Sequence, residues 1–555
     1  MTEPNLFDSF IEYFAPVMAV KRQAARAFLS AGGFTGASRT RRQTKNFRPQ
    51  IGSADSDTLP DLETLRARGR HLTRNNPYAA GALNTVTDNT VGTGLVPQSQ
   101  PDGDFLGMSP EEVRNVQQVS ERHFGFWATN PSWCDVTQME NFAEQQDTVV
   151  RSKLDSGDTF VLRRRRTDPR RPYGLALQLI EADRVYNPSG VQDGGTDQRG
   201  RSISGGVEFD NDGAPVAYHI GDHHPGDLRR IKSDPTRVRA FSVTGARRVL
   251  HLMSRLRPGQ SRGVPYVAGI VEPSHVLDRF TEAQLLNATV SSMFTAFIET
   301  NDASSLDTGD ALGLGPLGVG SSSAADRRNR GEMAPGAIVE MFKGEKVNFA
   351  DPKSPSPQFA AFEQAVVRQM AMMLDLPYEI LVKHYQSSYS AARAAMLDAW
   401  TFFKRVRKWL VDNFCQPVWE WFFEELVIQG YIRAPGFFDD PLIRTAYTRA
   451  IWSGEARGQI DSVKEVNAAR SRIAGCLSSL TDETVMLTGK DWETVMRRRA
   501  AEIRILQELN LTIPPELQGA DAAFIPIIEQ TSGEEESSGG GSSRAGSETE
   551  GAMAA

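Results

Sequence analysis

Glu272-Pro-Ser-His-Val-Leu-Asp-Arg-Phe-Thr-Glu-Ala-Gln-Leu-Leu-Asn-Ala-Thr-Val-Ser-Ser-Met-Phe-Thr-Ala-Phe-Ile-Glu-Thr300 and Gln358-Phe-Ala-Ala-Phe-Glu-Gln-Ala-Val-Val-Arg-Gln-Met-Ala-Met-Met-Leu-Asp-Leu376 read as two largely helical segments. Between them lie about 55 residues rich in Gly, Ser, Asp and Pro, and a helix-poor insertion of that length inside a compact domain marks a functional protrusion. It ends in a predicted strand pair, Ala337-Ile-Val-Glu-Met-Phe342 with Glu345-Lys-Val-Asn-Phe349. After Pro377 comes a polar patch, Lys383-His-Tyr-Gln-Ser-Ser-Tyr389. It leads into an apolar-periodic stretch, Ala391–Gln429, that closes at Gly430; Pro417 is expected to kink or restart it.

Upstream, residues 158–252 change to a strand pattern. Thr159-Phe-Val-Leu-Arg163, Leu175–Ile180, Gly206–Asp210, Ala214–Ile220 and Arg248–Leu252 are short and β-rich, and Asp210-Asn-Asp-Gly213 is a hairpin turn signal. Before this module, Leu62, Leu65, Leu72, Tyr78, Ala79, Ala82, Leu83 and Val86 recur at helical spacing, and the run stops at Val91-Gly-Thr-Gly94. Ser109-Pro-Glu-Glu112 is a helix cap leading to Trp127. Phe124, Phe126, Trp127, Trp133 and Phe142 sit in helical periods without interleaved cations, which favours core packing over base stacking. Residues 21–48 hold Lys21, Arg22, Arg26, Arg39, Arg41, Arg42, Lys45 and Arg48 without an acid. This arm, partly helical near Ala15–Leu29, is either a contact for an acidic partner or a solvated tail. Helices alternate with polar turns through Leu511, and the acidic, low-complexity tail from Thr531 reads as disordered.

The 555 residues carry 62 Lys+Arg against 69 Asp+Glu, a net charge of −7, with 40% hydrophobic and 24% charged residues. These values exclude a wholly disordered chain, a collagen-like rod and a coiled-coil rod, and they argue against non-specific coating of nucleic acid. Cys134, Cys415 and Cys476 are too few and too far apart for a disulfide scaffold or a zinc site, which suits synthesis in a reducing cytoplasm. No secretory signal is visible at the N-terminus. Ala283–Ile298 is interrupted by polar residues and is shorter than the roughly 18 apolar residues of a spanning helix, so no membrane insertion is expected.

Catalytic chemistry is sparse. Gly313-Leu-Gly-Pro-Leu-Gly318 has dinucleotide-loop spacing but lacks the strand before it and the helix after it, so it reads as a flexible loop. There is no phosphate-binding Gly-x-x-x-x-Gly-Lys loop, no Gly-x-Ser-x-Gly elbow and no His-Glu-x-x-His pair. His219, His223 and His224 with Asp222 and Asp227 form either a metal cluster or a polar loop. His251 and His275 read as structural side chains. No catalytic, cofactor or metal residues are assigned. The alternative to a non-enzymatic reading is a metal-dependent DNA-processing enzyme, with a site around Glu181-Ala-Asp183 or Asp222–Asp227.

The ordered series of motifs resembles the lambda-type portal protein family of tailed double-stranded DNA bacteriophages. The series is Leu65-Arg-Ala-Arg-Gly-Arg-His-Leu-Thr-Arg-Asn-Asn-Pro-Tyr-Ala-Ala-Gly81; Asn89-Thr-Val-Gly-Thr-Gly94; Leu179-Ile-Glu-Ala-Asp-Arg184; Gly206-Val-Glu-Phe-Asp210 with Pro215–Ile220; His251 with Arg257-Pro-Gly-Gln-Ser-Arg-Gly-Val-Pro265; Asp375-Leu-Pro-Tyr-Glu379; and Gly489-Lys-Asp-Trp-Glu-Thr-Val495 with Ala501-Glu-Ile503.

The resemblance implies a mixed α+β portal fold with a wing, a two-helix stem, a clip and a helical crown, assembled as a ring, typically of twelve subunits. On this chain it implies a basic arm at 1–50, a wing at 51–271, stem helices at 272–300 and 358–377, and the clip at 301–357. It then implies a tunnel loop and long wing helix at 378–455, the crown at 456–530 and the acidic tail at 531–555. Lys383, His384, Tyr385, Gln386, Ser387, Ser388 and Tyr389 become the candidates to face DNA. Arg327, Arg328, Arg330, Lys343 and Lys346 become the candidates to dock a motor or adaptor. The implied partners are further copies of the chain, double-stranded DNA, the terminase large subunit, the major capsid protein and head-tail adaptor proteins, with no membrane and no cofactor. The implied location is the capsid portal vertex of the virion after synthesis in the host bacterial cytoplasm. A net charge of −7 suits a conduit through which DNA must slide.

Overall fold

The computed structural model describes residues 17, 37–38, 41–196, 199–227, 233–243, 245–293, 297–300, 345–348, 359–385, 388–456, 462–490 and 492–509. Most of the basic arm, the Gly313–Gly318 stretch and the acidic tail lie outside them. The chain forms two compact units, Met1–Gly489 and Lys490–Ala555.

In the first unit, α1 (Ala54–Asn75) starts where the Ser53 side chain accepts from the Ser56 N–H. The helical run expected over 62–91 is two helices. Asn76 precedes a proline, a position that disfavours helical backbone. Its extended conformation (φ −98, ψ 120) ends α1, and its side chain caps α2 (Pro77–Thr90) at the Ala79 N–H, 3.0 Å away. Positive φ at Gly92 and Gly94 turns the chain into β1 (Val96–Ser99). Helix α3 (Pro110–Thr129) carries the expected cap as a full capping box: Ser109 Oγ accepts from the Glu112 N–H, and Glu112 accepts from the Ser109 N–H at 2.8 Å. Helix α4 (Phe142–Ser156) repeats the device with Asn141 and Glu144.

The strand module then follows, with β2 (Asp158–Arg165), β3 (Leu175–Glu181), β4 (Gly195–Thr196), β5 (Ser202–Ser204), β6 (Val207–Phe209), β7 (Pro215–Ile220), β8 (Thr236–Arg239) and β9 (Val249–Met253). They form two antiparallel sheets, ordered β3-β2-β9 and β4-β5-β6-β7-β8. The Asp210–Gly213 turn joins β6 to β7 as expected, with Gly213 at φ +80. Strand alternation divides the β3-β2-β9 sheet between two cores. Val161, Leu175, Leu177, Leu250 and Leu252 face a helical core, whereas Phe160, Leu162, Ile180 and Val249 pack with Val207, Tyr218 and Ile220 of the second sheet. Phe124, Trp127 and Phe142 are buried in the helical core against Trp419 and Phe422, as their spacing predicted, while Phe126 is exposed.

The two helices flanking the insertion are α5 (Val271–Met293) and α6 (Phe359–Met373). The expected helix over 272–300 stops early, and its last four residues form β10 (Phe297–Thr300). This strand pairs antiparallel with β11 (Glu345–Asn348), from Phe297 opposite Asn348 to Thr300 opposite Glu345. The expected pairing of 345–349 with 337–342 lies outside the described residues. Phe-Ile-Glu-Thr suits a pleated strand, and its pairing brings the start of the insertion to a segment near its end.

Helix α7 (Tyr389–Leu410) passes through a wide π turn, Val411–Cys415, into α8 (Gln416–Ile428). Pro417 is the cause: it has no N–H to donate, and its ring crowds the carbonyl four residues back, so an extra residue is accommodated just before it. Gly430 ends the run at φ +77. Next come α9 (Pro441–Tyr447) and β12 (Ala450–Ser453), which pairs antiparallel with β1, then α10 (Ser462–Ala474) and α11 (Leu480–Thr488). The second unit holds α12 (Trp492–Glu508).

Candidate functional site

The segment chosen as DNA-facing connects two helices. After α6 the chain turns through Asp375 (φ +46), buries Ile380 and Leu381 in a short helix, and leaves it at Lys383 in left-handed backbone (φ +55). Lys383, His384, Tyr385 and Ser388 are exposed, and Tyr389 opens α7. Gln386 and Ser387 lie outside the described residues, as do Arg327, Arg328, Arg330 and Lys343. Lys346 is in β11, opposite Glu299 of β10. Arg405 fixes the start of the exposed connection by pairing with Asp375 at 2.6 Å.

Both flanking helices are tied to the α1–α2 joint. Asn76 Nδ2 donates to Asp278 Oδ1 of α5 at 2.9 Å, and the Tyr78 hydroxyl donates to Glu363 Oε1 of α6 at 2.6 Å. Partial burial and the Glu363 carboxylate raise the Tyr78 pKa, so the phenol stays protonated. The Tyr266 hydroxyl donates to the Leu374 carbonyl just beyond α6, and Phe280 packs on Phe359 and Phe362. Sequence reading did not foresee these ties, although Asn76 and Tyr78 belong to a quoted motif.

Beneath the sheet those motifs converge on Asp158. Its fully buried carboxylate accepts from Arg66 Nη2 at 2.8 Å, Arg262 Nε at 2.7 Å and the Gly263 N–H at 3.0 Å, and it lies 3.2 Å from His251 Nε2. Arg262 also donates to the carbonyls of Ala182, Val185 and Gly205, at 2.6–2.7 Å. Burial opposes ionisation of Asp158, but Arg262 and Arg66 overcome it and hold the acid well below the usual carboxylate range. Burial lowers the His251 pKa, so the ring, stacked on Phe160 at 4.3 Å, stays neutral. Arg66 and Arg70 bind Asp183 at 3.2 and 2.5 Å, and Arg70 reaches Glu181 at 3.2 Å. A Cβ on Gly263 would stand 2.0 Å from the Gly157 carbonyl oxygen, so the backbone approach that closes the hub requires glycine.

The histidine–aspartate cluster read from sequence is not brought together. His219 is buried on β7, 3.6 Å from Glu208, an acid already held by Arg237 at 2.6 Å and Arg201 at 3.0 Å. His223 and Asp222 are exposed. His224 instead turns to Asp183, at 3.3 Å, and among the described residues Glu181, Asp183 and His224 form the one group with metal-like spacing. Two guanidinium groups already occupy its carboxylates, so the arrangement does not fit a metal ion. A cavity of about 540 Å³ lies beside α7, lined by Arg393, Trp400, Lys404, Arg407, Trp452 and Lys464 among others; none of the residues selected from sequence line it.

The quoted motifs therefore build a scaffold. Their side chains join helices to sheets, and they form no reacting constellation. Residues 40–407 match the family model described as phage portal protein, lambda family. The chain belongs to that family. A portal protein is a structural component of the phage virion and not an enzyme. Portal protein B of Escherichia phage lambda is 27% identical over 513 residues, covering 89% of this chain and 93% of the relative. The portal protein of Escherichia phage N15 is 27% identical over 525 residues, covering 91% and 94%. Among solved structures, the neck of an empty GTA particle computed with C6 symmetry aligns at a TM-score of 0.43 with 15% identity, over 79% of this chain and 95% of that one. No described helix of this portal protein is long and apolar enough to cross a membrane.

Proposed function

We propose that the chain is one subunit of a closed ring of twelve at the unique capsid vertex, through which duplex DNA enters during packaging and leaves at ejection. The observation that carries this reading is the pair α5 and α6, flanking an insertion whose start is brought by β10 and β11 to a segment near its end, in a chain of established portal family. In this reading α5 and α6 are the stem, 301–357 is the clip, 51–271 and the long α7–α8 helix are the wing, and 456–530 is the crown. Head-to-tail contacts between identical subunits generate a closed ring when the rotation closes.

The connection 383–389 is proposed to face the channel. Lys383, with the polar His384, Tyr385 and Ser388, offers few positive charges to phosphates. Sparse contacts suit translocation, because each neutralised phosphate adds affinity through counterion release. Arg327, Arg328, Arg330, Lys343 and Lys346 are proposed to dock the terminase large subunit during filling and head-tail adaptors afterwards, with the major capsid protein around the ring. Negative-stain electron microscopy of the purified full chain tests the central claim. Closed rings with a central channel are expected, and a chain that stays monomeric at high concentration overturns the proposal.

A further inference from the structure

Strand β2 ends in Arg163, Arg164 and Arg165, and the loop toward β3 adds Arg166, Arg170 and Arg171. Asp168 is the single acid from 163 to 172, so the stretch carries 6 − 1 = +5. Three of the six arginines are occupied. Arg163 pairs with Glu424 at 2.9 Å over the Trp421 ring. Arg170 is held by Asp168 through its backbone N–H, Nε and Nη2, at 3.0, 3.2 and 2.9 Å. Arg171 donates to the Trp133 carbonyl.

Arg164, Arg165 and Arg166 are exposed and have no carboxylate partner among the described residues; Arg164 Nε reaches only the neutral Gln178, at 2.8 Å. Exposed Arg247 and Arg248 adjoin them, since the Arg163 N–H donates to the Arg248 carbonyl at 2.9 Å.

The tip is held in place. The Arg166 N–H bonds the Gly174 carbonyl at 2.8 Å, the Gly174 N–H bonds Glu425 at 3.0 Å, and buried Tyr173 contacts His123 Nδ1 at 2.8 Å through its hydroxyl. Arginines anchor protein–protein contacts when surrounding side chains exclude water from them. Residues 163–172 offer little such cover: besides charged residues they hold only Thr167, Pro169 and Pro172. Guanidinium forks on a fixed strand suit phosphate oxygens. We propose that the β2–β3 tip binds the phosphate backbone of duplex DNA through Arg164, Arg165 and Arg166, without regard to base sequence. This contact lies on a different element from 383–389 and does not depend on ring closure.

The test is fluorescence anisotropy of a labelled mixed-sequence duplex of about 30 base pairs with the full chain, titrated from about 50 to 200 mM salt. Three phosphate contacts contribute about 2.7 to the slope of log affinity against log salt, at about 0.9 each. The R164Q/R165Q/R166Q chain should show a slope shallower by about that amount, so that its affinity falls about 40-fold less than that of the native chain over this range. R164K/R165K/R166K, which keeps the charge, should retain the native slope, as should R497Q/R498Q/R499Q, which removes the same charge from α12. A native chain that does not bind the duplex, or a Gln variant with unchanged slope and affinity, overturns the proposal. Binding of poly-glutamate with no binding of duplex also overturns it and identifies an acidic protein partner. Ring counts by microscopy on the same samples report separately on the assembly reading.

Discussion

Strand β2 presents charge in opposite ways at its two ends. At its first residue Asp158 is buried between Arg66 and Arg262, while at and just beyond its far end Arg164, Arg165 and Arg166 stand in solvent without a carboxylate partner. The buried end has given up its hydration, so removing one partner strands a charge where water cannot reach it. The exposed end keeps its hydration, so removing its charges changes what the surface attracts more than how firmly the chain folds. Similar side chains thus specify a fold at one end of a strand and recognition at the other.

The contrast breaks first at Asp158. Asp158→Asn should destabilise the first unit by about 3–5 kcal/mol, because Arg66 and Arg262 would remain buried without their anion. Denaturant unfolding measures this, and a loss below about 1 kcal/mol would mean that the arginines find other partners. Gly263→Ala should be the next largest effect. Its Cβ would press on the Gly157 carbonyl, and a loss of more than about 1 kcal/mol in the same assay is expected, since the backbones must part.

The folded-state pKa of Asp158 is depressed, so its contribution is present above the usual carboxylate range and is lost as pH falls through and below that range. The pKa of His251 is also depressed below its usual 6.5. Below about that pH the unfolded chain takes a proton that the folded ring refuses, and stability declines. Melting temperature followed from pH 8 downward should therefore begin to fall near 6.5 in the native chain. In His251→Gln the fall near 6.5 should become smaller, and what remains belongs to His123, whose pKa burial also lowers; an unchanged fall would assign the whole effect to His123 or another group. The smallest effect on stability belongs to R164Q/R165Q/R166Q, which should leave the melting curve within about 0.5 kcal/mol of native while altering DNA affinity. A large destabilisation there would erase the distinction between the two ends of β2.

Much of the local architecture was legible because it is decided within one turn of chain. Ser109 with Glu112 caps α3, Pro417 with Gly430 shapes the end of the long helix, and Asp210–Gly213 turns β6 into β7, each through backbone donors and dihedrals a few residues apart. The break at Asn76-Pro77 was equally local and was missed because hydrophobic periodicity runs straight through it. The proposed DNA-facing segment was legible as a polar connection following a helix. The basic β2 tip was present as consecutive arginines, yet which of them are already paired depends on Glu424, Asp168 and Trp133, brought there by folding.

By itself, the sequence determined most of the helices and many of the strands of this portal protein, the order of its motifs and its family, because capping, periodicity and turn chemistry act over neighbouring residues. Tertiary structure alone decided that β1 meets β12, that β10 meets β11, and that Arg66, Asp158, His251 and Arg262 share one buried site. Those pairings join residues far apart in the chain, and only removal of their charges and backbone groups from water makes each the necessary partner of the others.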